Sequence, residues 1–205
     1  MVDQSRAFVR KLLIWYKKAA RDLPWRETRN PYAVLVSEFM LQQTQVSRVL
    51  EFYPRFLKRF PTIEALARAR PKAVMEQWDG LGYYARARNL HKLAREVTRR
   101  HDGTLPGSPE DLRTLPGVGP YTAGAVACFA YEQPVAAVDT NVKRVLGWVF
   151  RKKDVWGLAT AIMPRNGKRA WKFNQALMEL GALVCVARKP RCAVCPVRRE
   201  CLSVQ

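Results

Sequence analysis

Acidic residues are scarce in this chain. Asp and Glu total 17 against 36 Lys and Arg, leaving a formal charge of +19 on 205 residues and a pI near 10.3. Such an excess needs a polyanion as partner, nucleic acid first and an anionic membrane surface second. Histidine is scarcer still: His91 and His101 are the two present, which excludes chemistry built on several histidines. No run of apolar residues is long enough to span a bilayer. The N-terminal stretch carries charges every few residues and has no signal-peptide core, so an intracellular, nucleoid-associated location is expected. Alternating strand patterns are missing too. What remains, 48% apolar and 26% charged residues, is globular composition and excludes wholesale disorder.

Helical periodicity fills the space between breakers. Residues 5–20, 31–46, 47–59, 63–69, 71–78, 84–101, 109–115, 120–131, 140–150, 154–162 and 169–184 read as helices or helical turns, with Pro134–Val138 as an extended connector. The expected fold class is all-α. In the first helix Phe8, Leu12, Leu13 and Trp15 face an interior.

Cysteine is rare until the end of the chain. Cys185, Cys192, Cys195 and Cys201 form a C-x6-C-x2-C-x5-C loop, while Cys128 lies in an apolar helix as a core thiol. Four thiolates on one loop can hold a tetrahedral zinc or a [4Fe–4S] cube. Zinc sites usually come as two close pairs, and one continuous wrap favours the cluster. Arg188, Lys189 and Arg191 lie in the first part of this loop, where they can meet phosphates or simply be solvated.

Leu115-Pro116-Gly117-Val118-Gly119 lies between two helical segments. Gly117 and Gly119 let the backbone turn tightly and bring N–H groups to an outside anion, with the next helix N-terminus adding partial positive charge. Such a seat holds phosphates without reading bases. This hairpin, with Asp139 downstream and the four-cysteine loop, resembles the helix–hairpin–helix DNA glycosylase superfamily.

Two carboxylates stand out. Glu38 interrupts the apolar run Tyr32–Leu41, where desolvation favours a retained proton, as a general acid requires. Asp139 precedes a helix and is expected to cap it, a role that keeps a carboxylate charged. Breaking an N-glycosidic bond creates an oxocarbenium-like sugar and an anionic leaving base, so one protonated and one ionised carboxylate match the demand. The alternative for both is a salt bridge.

The blocks Leu23–Arg26, Ser37–Val46 (SEFMLQQTQV), Gly80–Leu90 (GLGYYARARNL) and Val138–Val145 (VDTNVKRV) resemble the MutY-type adenine DNA glycosylases. The resemblance implies a six-helix barrel over residues 22–134 carrying the hairpin. It implies a second helical domain, residues 1–21 and 135–205, carrying a [4Fe–4S] cluster on the four cysteines, with the site in the cleft between them. It implies that Glu38 protonates a flipped adenine at N7, Asp139 stabilises the sugar cation and Asn141 positions groups at the cleavage centre. Gln43 and Tyr83 fill the gap in the stack, Trp25 and Arg26 line the base pocket, and Gln175 is a further pocket candidate. Tyr84 is expected in the core. Relatives that also cut the strand carry lysine where this chain has Tyr121, so it is expected to hydrolyse without lyase activity.

Adenine glycosylases of this type continue into a domain that reads 8-oxoguanine, whereas this sequence ends four residues after Cys201. In length it resembles the thymine DNA glycosylases that act on G:T and G:U mismatches, which are the alternative reading. Thr140, where glycine is common, is a further departure. A non-catalytic DNA-binding iron–sulfur protein is a third reading. The expected partner is duplex DNA with a mismatched or damaged pair, and the default state is a monomer.

Overall fold

A computed structural model describes residues 2–204. Among them are eleven α-helices and no strand, as an all-α chain requires. In chain order the helices are α1 (Val2–Ala19), α2 (Pro31–Leu41), α3 (Val46–Arg59), α4 (Ile63–Arg68), α5 (Pro71–Trp78), α6 (Ala85–Arg100), α7 (Pro109–Leu112), α8 (Pro120–Tyr131), α9 (Thr140–Phe150), α10 (Val155–Ala161) and α11 (Gly167–Leu183). Their starts are written in the sequence. Asn30, Thr62, Ser108, Asp139, Asp154 and Asn166 each accept a hydrogen bond from a first-turn backbone N–H. Pro31, Pro71 and Pro109 open helices at positions where no N–H is needed.

The chain divides into two compact units. The contiguous one runs from Leu23 to Tyr131. At its centre lies α2, buried from Tyr32 through Met40, which packs against α3, α6 and α8. A helix apolar on every face must be surrounded, and that accounts for the unbroken hydrophobic run. Around it α4 and α5 pack on α6, and α7 packs on α8. Phe56 and Trp78 meet edge to face at 5.7 Å.

The second unit joins the residues up to Asp22 with those from Glu132 onward. Its core gathers Phe8, Leu12 and Tyr16 of α1 with Val142, Val145 and Leu146 of α9 and Phe173, Leu177 and Leu180 of α11. Leu13 and Trp15 are partly buried against it. Phe8 and Phe150 meet edge to face at 5.2 Å. Arg21 closes the end of α1 onto α11: its Nε donates to Glu179 Oε1 at 2.7 Å and its Nη2 to Oε2 at 2.9 Å. Glu179 is fully buried, so this bidentate partner is what makes its burial tolerable.

No helix among the described residues is long and apolar enough to cross a membrane.

Candidate active site

In the contiguous unit, Glu38 projects from the middle of α2 and is 4% exposed. The apolar residues that drive α2 inward therefore carry the carboxylate with them. Burial of this kind disfavours the charged form of an acid. Trp25, in a single 3-10 turn over Pro24–Arg26, is buried and meets Tyr53 edge to face at 5.5 Å. Arg26, beside it, is half-buried.

Gln43 follows the end of α2. The expected helix over 31–46 stops at Leu41: Gln42 leaves the helical region at ψ 112°, and Gln43 then takes a left-handed conformation, φ +54°. Tyr83 does the same at φ +47°, between Gly82 and α6. Gln43 is exposed, and Tyr83 is 59% exposed, unusual for so large an aromatic side chain. Tyr84 departs from its expected place in the core: it is 38% exposed, and its hydroxyl donates to Asp79 Oδ1 at 2.7 Å. The phenol has a solvent-side partner, so burial brings it no advantage.

The hairpin runs from Leu115 to Gly119, between α7 and α8. Val118 N donates to Leu115 O at 3.2 Å to form the turn. Gly117 has φ +78°, and a Cβ there would lie 2.8 Å from Asn89 Cβ, so the position needs glycine twice over. A Cβ on Gly119 would meet nothing within 4 Å, which leaves this backbone open to an outside group. Tyr121, half-buried, follows on the first turn of α8.

In the discontinuous unit, Asp139 caps α9 as expected: Oδ1 accepts from Val142 N at 2.7 Å. Its other oxygen accepts from Asn141 Nδ2 at 2.9 Å. Asn141 Oδ1 accepts in turn from Arg144 Nη2 at 2.7 Å. Arg144 also reaches Gly181 O at 2.8 Å and, through Nε, Cys185 O at 2.7 Å. The carboxylate is thus linked through two side chains to the first residue of the cysteine loop. Gly181 permits the approach, since a Cβ there would lie 2.6 Å from Asn141 Cβ. The connector into Asp139 is held by Asn174 of α11, whose Oδ1 accepts from Ala137 N at 3.0 Å while Nδ2 donates to Val135 O at 2.9 Å. Gln175, its neighbour, is buried.

The four loop cysteines line one cavity of about 280 Å³ with Val149, Leu180, Val184 and Val197. Burial and the proximity of the other three sulfurs push the Cys185 thiol up to about 11, and burial also raises Cys195. Gathered thiolates repel one another, and a cationic group between them would relieve this. Among the described residues no group of His, Cys, Asp or Glu is arranged to hold a single metal ion. Arg191 N donates to Val184 O at 2.8 Å and closes the loop between the first two cysteines, leaving Arg188 and Lys189 exposed. Cys128 is fully buried in α8.

The chain is similar to known proteins over most of its length. The family model of the HhH-GPD superfamily of base excision DNA repair proteins matches residues 36–159. The chain belongs to the HhH-GPD superfamily. Over 196 residues it is 47% identical to the adenine DNA glycosylase of Mycobacterium tuberculosis, covering 91% of this chain and 64% of that protein. Over 223 residues it is 43% identical to human adenine DNA glycosylase, covering 100% of this chain and 40% of the human one. The chain thus spans less than two thirds of the length of these relatives. A solved thermostable thymine-DNA glycosylase superposes with a TM-score of 0.92 at 31% identity, over 98% of this chain and 97% of its own. An endonuclease III–DNA complex shares the fold, with a TM-score of 0.85 at 24% identity.

For this HhH-GPD protein, reading the residues in order missed Arg86, Arg144, Asn174 and Gly181. The first three bond to carbonyls or side chains distant in sequence. In a chain with 36 Lys and Arg, nothing local marks Arg86 and Arg144 as different from surface cations.

Proposed function

We propose that this HhH-GPD protein is a DNA N-glycosylase that removes adenine mispaired with guanine or 8-oxoguanine from duplex DNA of the nucleoid. The observation that carries the reading is Glu38, an acid buried at 4% exposure in an apolar helix of the unit that bears the hairpin. Such an acid is suited to hold a proton for a leaving group. The adenine glycosylase names of the curated relatives support adenine as the base.

In the proposed reaction Glu38 gives its proton to N7 of the extruded adenine. The C1′–N9 bond then breaks with its electron pair going to the base. Asp139 faces the positive charge that develops on the sugar, with Asn141 fixing its carboxylate in orientation. Water adds at C1′ and loses a proton, leaving an abasic site. Tyr121 offers no amine for an imine, so the strand stays intact. Trp25 and Arg26 in the contiguous unit, and Gln175 in the other, are proposed to contact the base. Gln43 and Tyr83 fill the vacated stack, and the backbone at Gly117–Gly119 with Arg188 and Lys189 holds phosphates.

The cysteine cavity suits a [4Fe–4S] cluster. All four cysteines line one cavity, the donor set of four thiolates that such a cluster takes. A zinc ion would draw its sulfurs to about 2.3 Å from itself and so to about 3.8 Å from one another. Cys185, Cys192, Cys195 and Cys201 would hold the cluster, which when bound supplies a rigid anchor for the basic loop.

The test is single-turnover base release from duplexes containing A:G, A:8-oxoguanine, G:T and G:U. Release of adenine, abolished by Glu38→Gln with DNA affinity kept, is expected. Release of thymine or uracil instead would favour the second reading, a G:T and G:U glycosylase, which the likeness to the thymine-DNA glycosylase structure supports.

A further inference from the structure

Arg86 lies in the first turn of α6 and is 7% exposed. No carboxylate pairs with it among the described residues. Its guanidinium is saturated instead by backbone carbonyls. Nη1 donates to Phe39 O at 3.0 Å, Met40 O at 2.6 Å and Gln42 O. Nη2 donates to Leu81 O at 3.3 Å and Gly82 O at 3.0 Å, and Nε to Tyr83 O at 3.4 Å. The planar cation also lies over the rings of Trp78 and Tyr83, 5.4 Å from each centroid. Arginine suits this place because its fork of donors is flat and rigid, which lysine cannot reproduce.

The carbonyls belong to two segments. Phe39 and Met40 offer carbonyls of the last turn of α2 and Gln42 the one just beyond it, where a cation also meets the negative end of the helix dipole. Leu81, Gly82 and Tyr83 form the turn before α6. Each segment contains one non-glycine residue in the left-handed region, Gln43 at φ +54° and Tyr83 at φ +47°. Backbone in that region persists where its surroundings over-determine it. At both positions the carbonyl just before the strained residue is bonded to Arg86, Gln42 O in one case and Gly82 O in the other. Both strained residues present their side chains to solvent.

We infer that Arg86 is a positioning residue that couples the Gln42–Gln43 turn to the Gly82–Tyr83 turn, so that the two exposed side chains enter the base stack as one preformed wedge. The inference rests on the glycosylase reading for the word wedge. The coupling of the turns stands on the hydrogen bonds alone. Preforming both turns means that their ordering is not charged against base extrusion, which already costs unstacking.

Arg86→Lys tests the coupling without DNA. Hydrogen exchange followed by mass spectrometry is expected to rise in both the 41–45 and 80–85 segments, though about forty residues separate them, while α11 stays protected. A rise confined to 80–85 would overturn the coupling. With DNA, in a Glu38→Gln background and with 2-aminopurine opposite guanine, the fluorescence gain on extrusion is expected to fall about tenfold, the equilibrium worth of one charge-assisted hydrogen bond. Affinity for undamaged duplex should change little. Unchanged extrusion would overturn the wedge role. If wild-type protein releases no base from any duplex, the glycosylase reading fails while the exchange result still judges the clamp. Should Arg86→Lys lose its helical circular dichroism, Gly82→Ala replaces it. That variant strains a left-handed position at φ +76° where a Cβ meets nothing, and coupled turns require faster exchange at 41–45 as well.

Discussion

Asn141, in the first turn of the helix that Asp139 caps, holds the second oxygen of that carboxylate: the amide donates to Oδ2 at 2.9 Å while Oδ1 is occupied by Val142 N. Each carboxylate oxygen thus has its own donor, and the two can be removed separately. Asn141→Ala deletes one and leaves the cap. Base release should slow about 10–100-fold, the worth of a hydrogen bond to a charged group. Thermal unfolding should move by no more than a few degrees. A loss of activity matched by collapse of the melting transition would show that Asn141 supports α9 rather than the chemistry.

The hairpin glycines should separate cleanly. Gly117→Ala places a Cβ 2.8 Å from Asn89 in a left-handed backbone, and a urea melt should report a loss of about 1–3 kcal/mol. Gly119→Ala meets nothing and should leave stability within about 0.5 kcal/mol. If phosphate approaches that backbone, Gly119→Ala should still weaken duplex binding. Equal affinity for wild type and Gly119→Ala would remove the hairpin from the interface.

Arg188 and Lys189 are exposed on the loop between Cys185 and Cys192. Replacing both with alanine should lower the slope of log K against log salt by about 2 units. The loss should be uniform across duplex sequences. An unchanged slope in a fluorescence-anisotropy titration would make them a solvated charge run.

Cys195→Ser should abolish a broad visible absorption near about 400 nm together with protein-bound iron. Zinc in the wild-type protein by elemental analysis, without that absorption, would replace the cluster with a single-ion site.

His91 on α6 is 7% exposed, and among the described residues its Nε2 has no hydrogen-bond partner, although hydrogen bonding to the backbone at Ala67 and Ala69 works against the effect of its burial. Burial pulls it below its ordinary value of 6.5, and Arg95 adds to the effect. The unfolded chain therefore takes up the proton first on acidification. The stability due to neutral His91 is complete above the unfolded value and is lost as pH falls below about 6.5, with a slope of at most about 1.4 kcal/mol per pH unit. Urea midpoints between pH 8 and 5 should fall less steeply for His91→Gln. Parallel curves would assign the acid loss to other groups.

Helix positions were legible in the residues because Pro, Gly and capping side chains punctuate an apolar period. The exception is instructive. Nothing between Leu41 and Val46 is glycine or proline, so 31–46 reads as one helix, yet the chain breaks at Gln43 where Arg86 draws the carbonyls of α2 to itself. That break is tertiary in origin. Glu38 was visible as an acid in an apolar run, and Asp139 as a cap before α9. Arg144 was not, because its partners at Gly181 and Cys185 lie 37 and 41 residues away. Tyr84 misled because an aromatic in an apolar-looking block suggests burial, whereas its phenol reaches Asp79.

The discontinuous unit has a consequence for synthesis. Helix α1 packs against α11, and the Arg21–Glu179 pair spans 158 residues. During translation α1 therefore emerges without its partner and waits, with Phe8 and Leu12 uncovered, until α11 has left the ribosome. The stretch from Leu23 to Tyr131 forms a compact unit of consecutive residues and condenses in the interval. The unit that carries the four cysteines is thus the later of the two to close, and any group those thiols hold can be enclosed only after α11 has emerged.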